Sequence, residues 1–135
     1  MMSSLEPPEN NVFYEDNFCC AWLVSEAVAE GHTIVALKEE ITDINNIPLA
    51  DYKVLAEIIY FVRDALIKVF KVDNVYILYI NDRKRVHFHL IPRAKGGVEG
   101  LKLLTQAPHQ LSDKELENIH MLRFLMESFK LEEII

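Results

Sequence analysis

Several things are scarce in this chain of 135 residues. There are two cysteines, Cys19 and Cys20, and they are adjacent. Neighbouring residues on a strand face opposite ways, so no bridge between them and no disulfide framework is expected. No apolar run approaches the ~18 residues that a membrane span needs. Met1 to Asn11 is polar and lacks the apolar core of a secretory signal. Basic side chains are the minority: 14 Lys and Arg stand against 21 Asp and Glu, for a formal net charge of −7. That balance argues against a broad nucleic-acid-binding surface. Internal repeats and low-complexity tracts are missing as well. The expectation is a soluble protein of a reducing compartment, cytoplasmic or nuclear, with no membrane partner.

What is present is the composition of an ordinary globular domain, 50% hydrophobic and 26% charged, at a length that buries a real core. Residues 1–11, with Pro7, Pro8 and Asn10, read as a loose tail, and 12–135 as one domain. Val12-Phe13-Tyr14 and Cys19 to Val24 flank the turn-prone Glu15-Asp16-Asn17, which predicts a β-hairpin. Gly31 breaks the chain, and His32 to Leu37 reads as a third strand. Thr42 to Asn46 is a loop or a short helical turn. Pro48 suits a first helical residue, and Leu55, Ile58, Ile59, Val62, Leu66 and Val69 recur behind it at helical spacing. Asn74–Ile80 and Val86–Ile91 are the fourth and fifth strands, joined by Asn81-Asp82-Arg83-Lys84. Gly96, Gly97 and Gly100 mark a flexible loop. Ser112-Asp113-Lys114-Glu115 is a capping box opening a last helix to about Leu131. The order predicts an α+β fold: a mainly antiparallel five-stranded sheet, one long central helix and a C-terminal helix.

The run Arg85-Val86-His87-Phe88-His89-Leu90-Ile91-Pro92-Arg93 carries the chemistry. Strand side chains alternate between faces. Val86, Phe88 and Leu90 therefore share a core-like face, while Arg85, His87 and His89 share the other. Two titratable rings and a guanidinium in a row suit a phosphate or a metal. Arg83, Lys84, Arg93 and Lys95 gather near them, a local basic strip on an acidic chain. The bland reading is that the histidines are satisfied packing residues and the basic run a solvated turn. A third reading is metal binding: two histidines at i and i+2 on a strand, with His32 as a third ligand, suit a tetrahedral zinc completed by water. His109, in a loop, and His120, on the last helix, carry no assigned role.

His87-Phe88-His89-Leu90-Ile91-Pro92-Arg93 resembles the end of the histidine triad (HIT) motif, in which three histidines alternate with apolar residues. Gly31-His32-Thr33-Ile34-Val35 is similar to the family's Gly-His strand. It follows an aromatic hairpin, and a long helix separates it from the motif. The resemblance covers roughly residues 12–95. It implies that His87 attacks the α-phosphate of a (di)nucleoside polyphosphate or nucleoside phosphoramidate, forming a nucleotidyl-histidine that water resolves. A neutral imidazole is a competent nucleophile for that step. The resemblance also implies that His89 contacts phosphate oxygens and that His32 supports the site. Phe13, Tyr14 and Trp22 fall where the family builds its slot for a purine base, and aromatic faces stack on bases. Homodimers formed through the long helix and a sheet edge are the family habit. No cofactor is required by this chemistry.

The chain departs from the pattern in three places. Arg85 replaces the first triad histidine; an arginine pairs with phosphate but cannot shuttle a proton. The glycine-rich loop before the triad is shortened, with Asn81 six residues ahead of His87, so Lys84 and Arg85 would replace its donors, with Arg93 beyond the motif. Val24 stands where the family places a ribose-binding Asp or Asn, with Ser25 the nearest polar substitute. These losses keep two rival functions open: a degenerate HIT module that binds nucleotide or zinc without turnover, and a nucleic-acid deadenylylase resembling aprataxin, which the acidic balance disfavours.

Overall fold

The computed structural model describes residues 5–134, with side chains as far as Phe129. Five strands form one sheet: β1 (Val12–Glu15), β2 (Cys19–Leu23), β4 (Thr33–Leu37), β5 (Asn74–Tyr79) and β6 (His87–Arg93). Their order across the sheet is β1-β2-β4-β6-β5, and each neighbouring pair is antiparallel. This is the α+β architecture that the element order predicts.

The central helix, α1, spans Leu49–Phe70, and its 3.6-residue stripe Leu55, Ile58, Ile59, Val62 and Leu66 is buried, together with Ala65. Pro48 sits one position earlier than expected, as the extended cap (φ −60°, ψ 150°). The helix ends on Lys71 in the left-handed region (φ 55°). Its apolar stripe lies on the sheet face made by Ala21, Leu23, Val35, Leu37 and Leu90, which forms the main core. Leu122, Met126 and Phe129 of the last helix complete that core.

The opposite sheet face can be read from the register. Trp22 pairs with Ile34 and Ile34 with His89, while Cys20 pairs with Ala36 and Ala36 with His87. Directly paired residues share a face. One strip of sheet therefore carries a small apolar cluster, Cys20, Trp22, Ile34 and Ala36, flush against the two histidines.

Three expectations need correction. Residues 5–11 were expected to be a loose tail, yet they pack against the sheet. Glu9–Asn11 form a 3-10 turn. Asn11 is buried and its amide donates to the Leu23 carbonyl (2.8 Å) and Ser25 Oγ (3.1 Å), while Leu5 packs on the Trp22 cluster. Those contacts satisfy polar groups that the β2 end would otherwise leave open. Residues 1–4 of the expected tail lie outside the described residues. The C-terminal helix is two pieces, α3 (Asp113–Leu116) and α4 (Ile119–Ile134). The Ser112 half of the capping box is there, its Oγ accepting the Glu115 N–H (3.1 Å) while the hydroxyl donates to the Glu115 carboxylate (3.2 Å), but the chain turns at 117–118 and Asn118 opens the second piece by accepting the Leu122 N–H (3.0 Å). Third, His109 is not in a loop. It belongs to β7 (His109–Gln110), which pairs with β3 (Glu26–Ala27) in a separate two-stranded sheet. The glycine loop ahead of it includes the one-turn α2 (Leu101–Leu104).

Candidate active site

His87 is 5% exposed. Its Nδ1 lies 2.8 Å from the carbonyl oxygen of Arg85. A carbonyl only accepts, so Nδ1 carries the proton and, in the neutral ring, Nε2 carries the lone pair. The Asp82 carboxylate stands 3.7 Å from that Nε2.

His32 and His89 form a second unit. The Val28 N–H donates to His32 Nδ1 (3.2 Å), so the His32 proton is on Nε2. That nitrogen lies 2.9 Å from His89 Nδ1 and donates to it. The His89 proton is then on Nε2, the nitrogen that points away from the pair. One main-chain N–H thus sets two tautomers in sequence. Burial holds the His32 pKa down at about 4, helped by the charges of His89 and His109. Burial likewise lowers His89 to about 4; His87 and Lys84 add to this and Asp82 opposes it. Both rings are neutral at neutral pH. The His87 and His89 ring centroids are 5.3 Å apart, and those of His32 and His89 5.1 Å. The three imidazoles predicted from the sequence are therefore together, on one face. A cavity of about 190 Å³ borders His32 and His89, lined also by Leu78, Ile80, Ile91 and Leu104 of α2.

The other predicted site residues divide. Trp22 lies on the histidine face, buried in the small cluster beneath Leu5. Phe13 and Tyr14 do not join it. Both belong to the main core, where the Tyr14 hydroxyl donates to Asp16 (2.5 Å). An irregularity in register between Val12 and Tyr14 turns both rings the same way, which strict alternation does not anticipate. Arg85 is committed to the main chain: its guanidinium donates to the carbonyls of Leu37 (2.9 Å) and Leu5. It acts as a clamp on the amino-terminal segment. Arg93, at the far end of β6, is engaged by Glu99 (2.7 Å) and Asp73 (3.6 Å). Asn81 and Asp82 build the turn before β6, accepting the N–H groups of Arg83 (3.1 Å) and Lys84 (3.2 Å), and both are exposed. Lys84 is also exposed but is near enough to act on His89. Ser25 is tied to Asn11.

In this structure the facing nitrogens of the zinc-candidate histidines are committed to hydrogen bonds. His32 Nε2 and His89 Nδ1 are hydrogen-bonded to each other, and His32 Nδ1 accepts from the Val28 N–H. Among the described residues no group of three or more His, Cys, Asp or Glu side chains is placed to hold a metal ion.

The HIT domain model matches residues 6–96, more than half of the chain. The chain belongs to the HIT family. Solved structures agree on the fold. A histidine triad protein from Marinobacter aquaeolei aligns with a TM-score of 0.75 at 18% identity, covering 95% of this chain and 98% of that one. A hypothetical histidine triad nucleotide-binding protein from Sulfolobus tokodaii gives 0.71 at 21% identity, covering 89% and 85%. The Plasmodium falciparum diadenosine triphosphate hydrolase gives 0.72 at 12% identity, covering 95% and 84%. A search of curated proteins finds no match.

Seen as a HIT site, the histidine face contains three features that sequence reasoning missed. Asp82 approaches the middle histidine, the Val28 N–H fixes His32, and Leu37 captures Arg85. Only Asp82 left a signal, as an acidic residue in an otherwise basic turn. The other two are main-chain groups brought near by tertiary structure, which no side-chain pattern reports.

Proposed function

We propose that this protein is a nucleotide hydrolase or transferase in which His87 Nε2 attacks the α-phosphate of a dinucleoside polyphosphate. The observation that carries this reading is the His87 tautomer: with Nδ1–H held by the Arg85 carbonyl, the unshared pair of Nε2 is available on a rigid strand. As the N–P bond forms, the bond from phosphorus to the leaving oxygen breaks and the electron pair departs with the leaving phosphate. The positive charge on the ring is stabilised through Nδ1–H by the carbonyl oxygen. His89, its proton on Nε2, donates to a non-bridging phosphate oxygen and spreads the developing charge. Water then attacks phosphorus, the N–P bond breaks and the ring is restored.

Arg85 cannot hand a proton to a departing amine. The site therefore favours phosphoanhydrides, whose phosphate leaves as an anion, over phosphoramidates. Trp22 and Ile34 are buried beneath Leu5, so a purine base on the face of His89 would meet Leu5 and not the Trp22 ring. Exposed Tyr52, Val54 and Tyr60 on α1 and Ile77 on the edge strand β5 support a homodimer formed through the long helix and that edge.

A second reading is a nucleotide-binding module without turnover. It is favoured by the Arg85 guanidinium being held by main-chain carbonyls where the family has a histidine. Incubation with diadenosine triphosphate, with and without chelator, separates the two. Chelator-resistant turnover that disappears in His87→Ala supports the enzyme. Stoichiometric binding without product release, in the intact protein, supports the module. Turnover confined to adenylated DNA points instead to a deadenylylase.

A further inference from the structure

The family match ends at residue 96, yet the chain beyond it reaches back to the histidines. β7 pairs with β3, Ala27 lying opposite His109 and Glu26 opposite Gln110, and the Leu111 N–H donates to the Ser25 carbonyl (2.8 Å). The residue that follows β3 is Val28, whose N–H fixes His32. The turn that carries that N–H is closed locally by the His32 N–H donating to the Ala29 carbonyl (3.1 Å), and the strand leading into it is held from outside the matched region. Side chains anchor β7 as well: Gln110 Nε2 donates to Glu26 Oε1 across the pair (3.4 Å), and His109 is held by Glu115. Glu115, 7% exposed, accepts from His109 Nε2 (3.1 Å) and from Ser112 Oγ (3.2 Å) on the same carboxylate oxygen, Oε1. Its other oxygen, Oε2, is buried without a hydrogen-bond partner among the described residues. A helix cap alone does not need a buried carboxylate, since an exposed Glu or Gln at this position closes a capping box equally well. Burying one with an unmatched oxygen is costly, and such local costs are usually met at sites that serve function.

We propose that Glu115 and His109 are positioning residues for the histidine site: they hold β7 on β3 so that the Val28 N–H selects the His32 tautomer, and through it that of His89. The proposal rests on the catalytic reading above for its effect on rate, but not for its effect on the rings. If Val28 shifts away, His32 Nδ1 is free to take the proton. His32 Nε2 then accepts from His89 Nδ1, and His89 presents a lone pair, not an N–H, to the phosphate. A donor is replaced by a repulsive acceptor at the point where charge develops.

The ring tautomers are read directly by long-range nitrogen–proton NMR of the ¹⁵N-histidine-labelled protein. In the unsubstituted protein His32 and His89 should each show one neutral form, protonated on Nε2. His109→Ala and Glu115→Ala should give mixed tautomers at both rings. Glu115→Gln, which retains an acceptor for His109 and a competent cap, should restore the single form. The same two alanine variants should lower kcat for diadenosine triphosphate about tenfold with little change in KM, the pattern of a lost transition-state donor. The His109 side chain is 44% exposed, so His109→Ala keeps the test open if Glu115→Ala fails to fold. Unchanged tautomers in folded His109→Ala, whatever its stability, overturn the proposal. Mixed tautomers in a protein that never turns over nucleotide uphold the positioning role and instead defeat the catalytic reading.

Discussion

Acidification should destabilise this protein through His32, and replacing that residue should remove the effect. His32 titrates near 6.5 when unfolded and at about 4 when folded, because burial opposes its charged form. At pH 7 the folded ring is neutral and the unfolded ring only about a quarter protonated, so its pH dependence there is small. Below 6.5 the unfolded chain binds a proton that the folded chain refuses, so stability falls with pH until about 4, where the native ring also protonates. For these two values, linkage gives a loss of about 2 kcal/mol between pH 7 and pH 5 from His32 alone. Carboxylates and the other histidines titrate too, so the comparison must be a double difference. His32→Gln keeps a side-chain N–H for His89 Nδ1 and removes the ionisation. Urea denaturation at pH 7 and pH 5 should show that the intact protein loses about 2 kcal/mol more than the variant over this interval. Equal losses would mean that the ring is not held neutral by burial, and the tautomer argument would fall with it.

Three other perturbations have defined outcomes. Gly31→Ala puts a Cβ 2.8 Å from the Phe70 ring and 3.0 Å from Pro92, at φ +83°; it should cost about 2–4 kcal/mol in chemical denaturation and broaden the NMR signals of the adjacent His32. Asp82→Asn removes a carboxylate beside His87 Nε2, a repulsion of about 1 kcal/mol toward an incoming phosphate. KM for a polyphosphate substrate should drop roughly fivefold at low salt, with the gain shrinking as ionic strength rises. Arg85→Ala frees the Leu37 and Leu5 carbonyls and should cost about 1–3 kcal/mol of stability; anhydride turnover should stay within a few-fold, and a collapse in kcat would restore Arg85 as a phosphate ligand.

Much of this architecture was legible because it follows from periodicity. The stripe from Leu55 to Leu66 permits one long helix with one buried face. Alternation through Val86, His87, Phe88 and His89 separates a core face from a reactive one, and the register places Ile34 and Ala36 beside the rings. What escaped the sequence depends on contacts without a period. The irregular register at β1 sends Phe13 and Tyr14 into the core, so of the three rings expected to line one slot only Trp22 lies on the histidine face, and it is buried beneath Leu5. Arg85 has the charge for a phosphate, but two main-chain carbonyls reach it first. The pairing of β3 with β7 involves two short segments more than 80 residues apart, as the Glu26–Gln110 register shows, and neither has a strand signal of its own. The histidine cluster makes a related point. Spacing places three imidazoles near one another, but the direction of each nitrogen is decided by its hydrogen-bond partners.

The central claim, that His87 Nε2 is a nucleophile, is tested most directly by trapping its product. The protein is mixed with diadenosine triphosphate, quenched within milliseconds under alkaline conditions that preserve phosphoramidates, and digested for mass spectrometry. The account predicts an adenylyl group on the peptide carrying His87, attached at that residue, appearing before the burst of product ends and absent in His87→Ala. Rapid turnover with no modified His87 at any quench time, or with the label on another residue, would contradict it.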